Sequence, residues 1–217
     1  MCKYFLGALL LAAALASPSF AQPTNIVMIR HGEKDPNNPA DVGLTWQGKA
    51  RAAALVPYFE QFFQDNKIAP PSFIFAQSAP SGHSQRPILT VTPYAQSLML
   101  DNEHFVTNQY KSKEYAQLAS DLLNPVNTQF AGKTVLICWE HKHLADMANT
   151  LVTSLTNGQY KINTEPNLAW PGGAVYGLTW TFAIDPSTKT ATFQSIPQKL
   201  MYDDASAPPM SKAAKRE

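Results

Sequence analysis

Short runs of consecutive apolar residues alternate with longer amphipathic stretches along the chain. The runs at 25–29, 72–76 and 133–139 have the length and the branched side chains of strands buried on both faces. Between them, the stretches 45–65 and 87–99 repeat apolar residues every three or four positions, as a helix with one buried face does. The alternation predicts an α/β fold with a largely parallel central sheet.

The second half of the chain continues the alternation and then changes. We expect a helix over 113–123 and another after residue 139, because apolar residues again recur at helical spacing. Residues 174–184 and 188–196 flank the turn sequence Asp-Pro-Ser and predict a hairpin that closes one edge of the sheet. The expected domain is therefore a single three-layer α/β/α unit.

Length and charge narrow the classes of function. The chain has 217 residues, 15% of them charged, and a formal net charge of +1, with no basic block before its extreme C-terminus. One domain of ordinary size fits this length, and a nucleic-acid partner does not fit the charge. Only Cys138 remains once the first residues are set aside, so no internal disulfide is expected.

The two ends of the chain are predicted to lie outside the domain. Lys3, the apolar run after it and the Ser-Phe-Ala sequence before Gln22 have the pattern of a cleaved signal peptide over 1–21. An uncleaved membrane anchor is the alternative. Cleavage predicts a secreted or periplasmic protein without stable membrane insertion, a domain over 22–202, and a disordered tail over 203–217.

Charged and polar side chains follow three of the predicted strands at the point where each strand ends. Arg30, His31 and Gly32 follow the first strand, Arg86 lies in the loop after the second, and Glu-His-Lys-His at 140–143 follows the third. Ligands of open α/β sheets gather beyond the carboxyl ends of the strands. The sequence therefore predicts one site that contains two arginines and at least two histidines.

This combination of side chains suits a tetrahedral dianion such as phosphate. Each guanidinium can donate paired hydrogen bonds to its oxygens, and Gly32 lets backbone N–H groups approach an anion closely. A neutral imidazole in that setting can attack phosphorus, and a second histidine can stabilise the charge on the other oxygens. No metal ion or other cofactor is needed for this chemistry.

Four ordered segments resemble the histidine phosphatase superfamily, also called phosphoglycerate-mutase-like. Arg-His-Gly-Glu at 30–33 after a buried strand resembles its first motif. Residues 43–55 are similar to its Leu-Thr/Ser-x-x-Gly-x-x-Arg-Ala segment, and residues 84–95 to the segment with an arginine four residues before a threonine. Residues 134–144 resemble the strand that ends in the second catalytic histidine.

The resemblance, which is to branch 1 of the superfamily, implies a function and roles for individual residues. His31 would be the nucleophile that becomes phosphorylated, with His141 and Glu33 as further catalytic residues. Arg30, Arg86 and His141 would bind the phosphate of the substrate. The implied activity is metal-independent hydrolysis of a phosphomonoester, carried either by a small molecule or by a phosphorylated protein.

The donor of a proton to the leaving group stays open at this stage. Glu33, Asp35, Glu103 and Glu140 are all candidates, and the sequence does not separate them.

The segment after the second histidine departs from the family, because Lys142 and His143 stand where small residues or an acid are usual. We expect His143 in a supporting or surface position.

Two other functions compete with the phosphatase. One is a phosphate-binding module of the same fold with little or no turnover. The other is a metalloprotein whose ligands are Glu140, His141, His143 and His31, although the two nearby arginines would repel a cation.

Overall fold

A computed structural model describes residues 22–38, 40–80, 82–202 and 204. The predicted signal peptide over 1–21 lies outside the described residues, and so does the predicted tail over 203–217 apart from Asp204. The strands are β1 (Asn25–Arg30), β2 (Phe73–Ala76), β3 (Phe105–Val106), β4 (Thr134–Trp139), β5 (Lys161–Ile162), β6 (Leu178–Asp185) and β7 (Thr190–Pro197). The helices are α1 (Trp46–Asp65), α2 (Arg86–Ser97), α3 (Tyr115–Leu123) and α4 (His141–Asn157), with single 3₁₀ turns at Ser112–Glu114 and Thr128–Phe130.

The strands form one sheet in the order β3-β2-β4-β1-β6-β7-β5. Strands β3, β2, β4 and β1 run parallel to each other, whereas β6 runs antiparallel to β1. The predicted hairpin is present as β6 and β7. The edge beyond the hairpin is β5, whose two residues are too few to give a strand pattern in the sequence.

Alternate residues of β1 contribute to two separate cores. Ile26 and Met28 pack with residues of α3 and α4, and Val27 and Ile29 pack with residues of α1 and α2. Side chains of successive strand residues point to opposite faces, so a strand apolar at every position needs helices on both sides. The three-layer α/β/α architecture predicted from the sequence is confirmed.

Helix α1 shows how local sequence sets the elements around the later site. The Thr45 side chain accepts a hydrogen bond from the Gly48 amide and so caps the helix, and Leu55, Phe59 and Phe63 are buried on its inner face. A Cβ at Gly48 would lie 2.7 Å from the carbonyl oxygen of Glu33, so only glycine allows the helix to approach the loop after β1 this closely.

The polarity of the sheet brings particular residues to one edge. Because β1, β2 and β4 are parallel, their carboxyl ends lie together along one edge of the sheet. The last residues of these strands are Arg30, Ala76 and Trp139, and Arg30 lies directly opposite Trp139. Because β6 is antiparallel, its beginning lies at that edge, so the residues just before Leu178 lie there too. Among the described residues, no helix is long and apolar enough to cross a membrane.

Candidate active site at the carboxyl edge of the sheet

A cavity of about 210 Å³ opens where β1, β2 and β4 end. Its lining residues are Arg30, His31, Lys34, Gln77, Ser84, Arg86, Pro87, Glu140 and His141. Three of these carry a permanent positive charge and Glu140 is the one carboxylate in the set. The cavity therefore has the charge of an anion site.

His31 is buried at the floor of this cavity in a form suited to nucleophilic attack. Its Nδ1 lies 2.7 Å from the carbonyl oxygen of Gly32, so Nδ1–H donates to that oxygen and Nε2 keeps its lone pair. Burial lowers the pKa of His31 to about 3; the hydrogen bond to Gly32 opposes this shift, and the charges of Arg30 and Arg86 add to it. The imidazole is therefore neutral across the physiological pH range.

The backbone on both sides of His31 is held by neighbouring elements. The His31 amide donates to the Trp139 carbonyl oxygen at 3.0 Å. The Gly32 amide donates to Thr90 Oγ1 at 2.8 Å, and Thr90 in turn donates to the Arg86 carbonyl oxygen at 2.7 Å. This chain of hydrogen bonds ties the end of β1 to the first turn of α2, which fixes the His31 ring relative to Arg86.

Arg30 is buried and only partly hydrogen-bonded. Its exposed fraction is 1%, and its Nη1 donates to the Val175 carbonyl oxygen at 2.8 Å. Within the part of the chain that the structure describes, its Nε and Nη2 are buried and have no hydrogen-bond partners. Its guanidinium carbon lies 3.8 Å from the centre of the Tyr176 ring. Burial lowers the pKa of Arg30, and Tyr176, Glu140 and Glu33 act against that shift. Because buried N–H donors without partners are costly, these donors mark where an anion would bind.

Arg86 is held by the loop between β1 and α1. Its Nε donates to the Gly43 carbonyl oxygen at 2.8 Å, its Nη1 to Ser84 Oγ at 3.1 Å, and its Nη2 to the carbonyl oxygen of Asp41. A guanidinium has five N–H groups, so two remain for a ligand. Arg86 therefore reaches the cavity in a fixed orientation.

His141 and Glu140 lie at the N-terminus of α4, on the opposite side of the cavity. Glu140 caps the helix, because its carboxylate accepts hydrogen bonds from the amides of Lys142 and His143 at 3.0 and 2.9 Å. His141 is the first residue of the helix. Burial lowers the pKa of His141, and Arg30 lowers it further while Glu140 opposes. His141 can donate a hydrogen bond into the cavity as a neutral ring.

A search of solved structures found a similar architecture. The protein histidine phosphatase SixA complexed with tungstate superposes with a TM-score of 0.51 and 14% sequence identity, over 80% of this chain and 97% of that chain. The chain has the fold of the histidine phosphatases. A phosphoserine phosphatase mutant from Entamoeba histolytica, in complex with phosphoserine, matches with a TM-score of 0.39 and 13% identity over 82% of this chain and 98% of that chain. The sequence itself matches no protein-family model and no curated protein.

Within this histidine phosphatase fold, Arg30, His31, Arg86 and His141 all line one cavity, as their positions in the sequence led us to expect. Their individual roles stay predictions. Lys142 does not line the cavity. His143 supports the site from outside it: its Nδ1 lies 2.7 Å from Glu140 and 2.8 Å from Ser112 Oγ, and its ring stacks on Tyr115.

Glu33 occupies a different place from the one expected of a catalytic residue. Its carboxylate accepts hydrogen bonds from Arg51, whose Nε lies 2.9 Å from Oε1. Arg51 also donates to Asp204 through Nη1 and Nη2, both at 2.8 Å. Glu33 is absent from the cavity lining because this buried ion pair turns its side chain toward α1. We therefore no longer assign it proton transfer.

The other candidate proton donors are separated by position. Asp35 accepts a hydrogen bond from the Asn37 amide in the loop after β1 and does not line the cavity. Glu103 lies with Lys133 at the opposite edge of the sheet, where β4 begins. Glu140 alone among the four lines the cavity. In the described part of the chain, no three His, Cys, Asp or Glu side chains are grouped to hold a metal ion.

Sequence reasoning missed several residues of the site. Lys34 lines the cavity, and its position directly after the first motif could have predicted this. Gln77 and Ser84 also line the cavity. They lie in the loop after β2, which the sequence pattern placed near the ligand without singling out these two residues. Val175 and Tyr176 contact Arg30 because β6 lies antiparallel beside β1, a pairing that no local pattern in the sequence indicates.

Proposed function

We propose that this protein is a phosphatase that hydrolyses phosphomonoesters through a phosphohistidine intermediate on His31. The observation that carries the proposal is a buried neutral imidazole next to Arg30, whose buried Nε and Nη2 lack partners. A positively charged cavity with a nucleophile at its floor suits the transfer of a phosphoryl group.

The reaction is written in two displacements. In the first, Nε2 of His31 forms a bond to phosphorus as the bond from phosphorus to the ester oxygen breaks, and the alcohol leaves with a proton. In the second, a water oxygen attacks phosphorus, the bond to Nε2 breaks, and a proton of the water returns to the group that protonated the alcohol, so inorganic phosphate leaves with His31 neutral again. The covalent intermediate divides one difficult displacement into two easier ones.

Positive charge and hydrogen-bond donors around the cavity would stabilise both displacements. Arg30 offers its Nε and Nη2 groups, and Arg86 offers the two N–H groups that its contacts with Asp41, Gly43 and Ser84 leave over. His141 would donate a hydrogen bond to a phosphoryl oxygen from the α4 side. Charge spread over the phosphoryl oxygens in the transition state is stabilised by such preorganised donors. The proposed mechanism therefore uses no metal ion.

We take Glu140 as the candidate proton donor, since it is the carboxylate at the cavity. Both of its oxygens already accept hydrogen bonds from the N-terminus of α4. We therefore expect phosphomonoesters with good leaving groups, such as aryl phosphates, to react fastest, because they need the least protonation. Substrates are either small phosphomonoesters or phosphorylated proteins, and the latter agree with the structural neighbour SixA, which is a protein histidine phosphatase.

Export is part of the proposal. It rests on the sequence of residues 1–21, with Lys3, an apolar run and a small-x-small cleavage sequence. N-terminal sequencing of the protein purified from the cells that make it tests this point. A first residue of Gln22 is expected, and an intact Met1 would contradict it.

The test of the proposed activity is release of p-nitrophenol from p-nitrophenyl phosphate with EDTA present. We expect activity in the wild type and at least a thousandfold loss in His31→Ala. His104→Ala is the matched control, because His104 lies outside the cavity, where its Nδ1 contacts Asp101 Oδ1, and its loss leaves the site intact. Equal activity in wild type and His31→Ala would refute the mechanism, and loss of wild-type activity on adding EDTA would refute its metal independence.

One observation favours a second function, a phosphate-binding module with weak or no turnover. Glu140, the one carboxylate of the cavity, is already engaged as a helix cap, so a dedicated proton donor is absent from the described lining. Such a module would bind tungstate or phosphate with the same residues and release no p-nitrophenol. Measuring tungstate binding alongside turnover separates the two functions.

A further inference from the structure

We propose that Tyr176 is a positioning residue of the phosphate site, which holds the Arg30 guanidinium so that its unpartnered N–H groups face the bound oxyanion. The inference rests on the proposed function of the cavity and adds a residue to it. Tyr176 lies outside every segment that the sequence marked as functional. Its place near Arg30 follows from the sheet topology.

Strand β6 runs antiparallel to β1, and Ile29 pairs with Thr179. The chain that enters β6 therefore passes beside the end of β1, and it brings Val175 and Tyr176 next to Arg30. The same segment contacts the second histidine: a Cβ at Gly173 would lie 3.7 Å from His141 Nε2. Residues 170–176 thus form a wall beside both Arg30 and His141.

Two contacts from this wall fix the guanidinium. Arg30 Nη1 donates to the Val175 carbonyl oxygen at 2.8 Å, and Trp170 Nε1 donates to the same oxygen at 2.7 Å, which holds the acceptor in place. The Tyr176 ring covers one face of the guanidinium, with 3.8 Å between the guanidinium carbon and the ring centre. One hydrogen bond leaves the guanidinium free to turn about that bond, whereas an added ring contact fixes its plane.

The fixed plane matters because of where Arg30 lies. The residue is 1% exposed, and its Nε and Nη2 cannot find water to replace a missing partner. Burial lowers the pKa of Arg30 and so works against its charge. A guanidinium over an aromatic face is attracted most strongly when it is desolvated. The ring therefore stabilises the charged donor before the oxyanion arrives.

The ring is the part of Tyr176 that does this. Among the residues that the structure describes, its hydroxyl has no hydrogen-bond partner, whereas the ring contacts Arg30 and lies 6.1 Å from the His31 ring, centre to centre. Phenylalanine keeps the aromatic face and leucine removes it at similar volume. The two substitutions therefore separate the positioning role from a role of the hydroxyl.

The experiment compares wild type, Tyr176→Phe and Tyr176→Leu by calorimetric titration with tungstate, by kcat and KM for p-nitrophenyl phosphate, and by urea unfolding. We expect tungstate affinity to fall about tenfold in Tyr176→Leu and less than about twofold in Tyr176→Phe. Tyr202→Leu is the matched control, because Tyr202 is fully exposed. In the Arg30→Lys background, which lacks the flat guanidinium, Tyr176→Leu should lower tungstate affinity much less.

Each outcome bears on the inference. The positioning role would be overturned if Tyr176→Phe and Tyr176→Leu lose tungstate affinity equally, or if Tyr176→Leu loses as much affinity in the Arg30→Lys background as in the wild type. It would also be overturned if Tyr176→Leu lowers stability and leaves tungstate affinity unchanged. Tungstate binding with the expected order of variants but no turnover would support the inference while the proposed hydrolysis fails. A wild type that neither binds tungstate nor releases p-nitrophenol would overturn both.

Discussion

Replacing Arg51 by methionine is expected to be the most destabilising single change near the site that leaves the cavity lining intact. Arg51 lies between Glu33 and Asp204, and the exposed fractions of the three side chains are 2%, 9% and 4%. Gln198 Oε1 accepts a further hydrogen bond from Arg51 at 3.2 Å. Methionine fills most of the volume but leaves two carboxylates buried without their shared cation.

The magnitude follows from the burial of the charges. Burial alone would raise the pKa of Asp204, yet the hydrogen bonds and charge of Arg51 outweigh it and lower that pKa. The hydrogen bonds from Arg51 to Asp204 and Glu33 likewise raise the pKa of Arg51 itself, against the effect of burial. Removing one partner of a buried, hydrogen-bonded ion pair typically costs about 3–5 kcal/mol of unfolding free energy. We expect Arg51→Met to lie in that range.

The assay is equilibrium urea unfolding at neutral pH, with a triple variant as the internal control. Glu33→Gln, Arg51→Met and Asp204→Asn together remove all three charges, so no charge is left buried without a partner, and such an uncompensated charge is the main cost of breaking a buried ion pair. The triple variant should therefore recover most of the loss. A cost below about 1 kcal/mol for Arg51→Met, or a triple variant no more stable than the single one, would refute the reasoning.

Three further predictions concern His31 and the loop that follows it. The pKa of His31 is about 6.5 in the unfolded chain and about 3 in the folded protein, so the unfolded state takes up a proton first as the pH falls. The free energy of unfolding of the wild type should therefore fall by about 2 kcal/mol between neutral pH and pH 5, and this part of the loss should be missing in His31→Gln. Thr90→Val should lower the free energy of unfolding by about 1–3 kcal/mol and should also lower kcat/KM, because the buried Gly32 amide loses its hydrogen-bond acceptor. Thr92→Val on the same helix should leave kcat/KM unchanged. Gly48→Ala should abolish most activity, since its Cβ would lie 2.7 Å from a backbone oxygen of this loop.

The outcomes that contradict these predictions are distinct. Parallel pH profiles of stability for wild type and His31→Gln would show that burial does not lower the pKa of His31. Equal kinetic effects of Thr90→Val and Thr92→Val would show that the hydrogen bond to Gly32 does not position His31. A fully active Gly48→Ala enzyme would show that helix α1 does not constrain the loop after β1.

Much of the architecture was predictable because it depends on local pattern. A buried strand that ends in Arg30 and His31, and another that ends before His141, are visible as apolar runs that stop at polar residues. Parallel strands place their carboxyl ends together, so the meeting of these side chains with Arg86 needed no knowledge of distances. The order of strands along the chain and their polarity were sufficient for this part of the site.

The rest depends on contacts between distant parts of the chain. Glu33 was expected at the reaction centre because it belongs to the first motif, yet Arg51 and Asp204 bind its side chain into an ion-pair group. Asp204 lies 153 residues from Arg51 and falls in a stretch whose composition indicates a tail. Tyr176 reaches Arg30 only because β6 lies next to β1 in the sheet. Strand order of this kind is decided by tertiary packing and leaves no periodic pattern in the sequence.

The most direct test of the central claim is to detect a phosphoryl group on His31 itself. The wild-type protein and His31→Ala are mixed with p-nitrophenyl phosphate, quenched in alkali to preserve phosphohistidine, and digested for mass spectrometry. We predict one added phosphoryl group on the peptide that contains His31, formed and lost at rates compatible with turnover, and none in the variant. Turnover without phosphorylation of His31, or phosphorylation at another residue that persists in His31→Ala, would contradict the account.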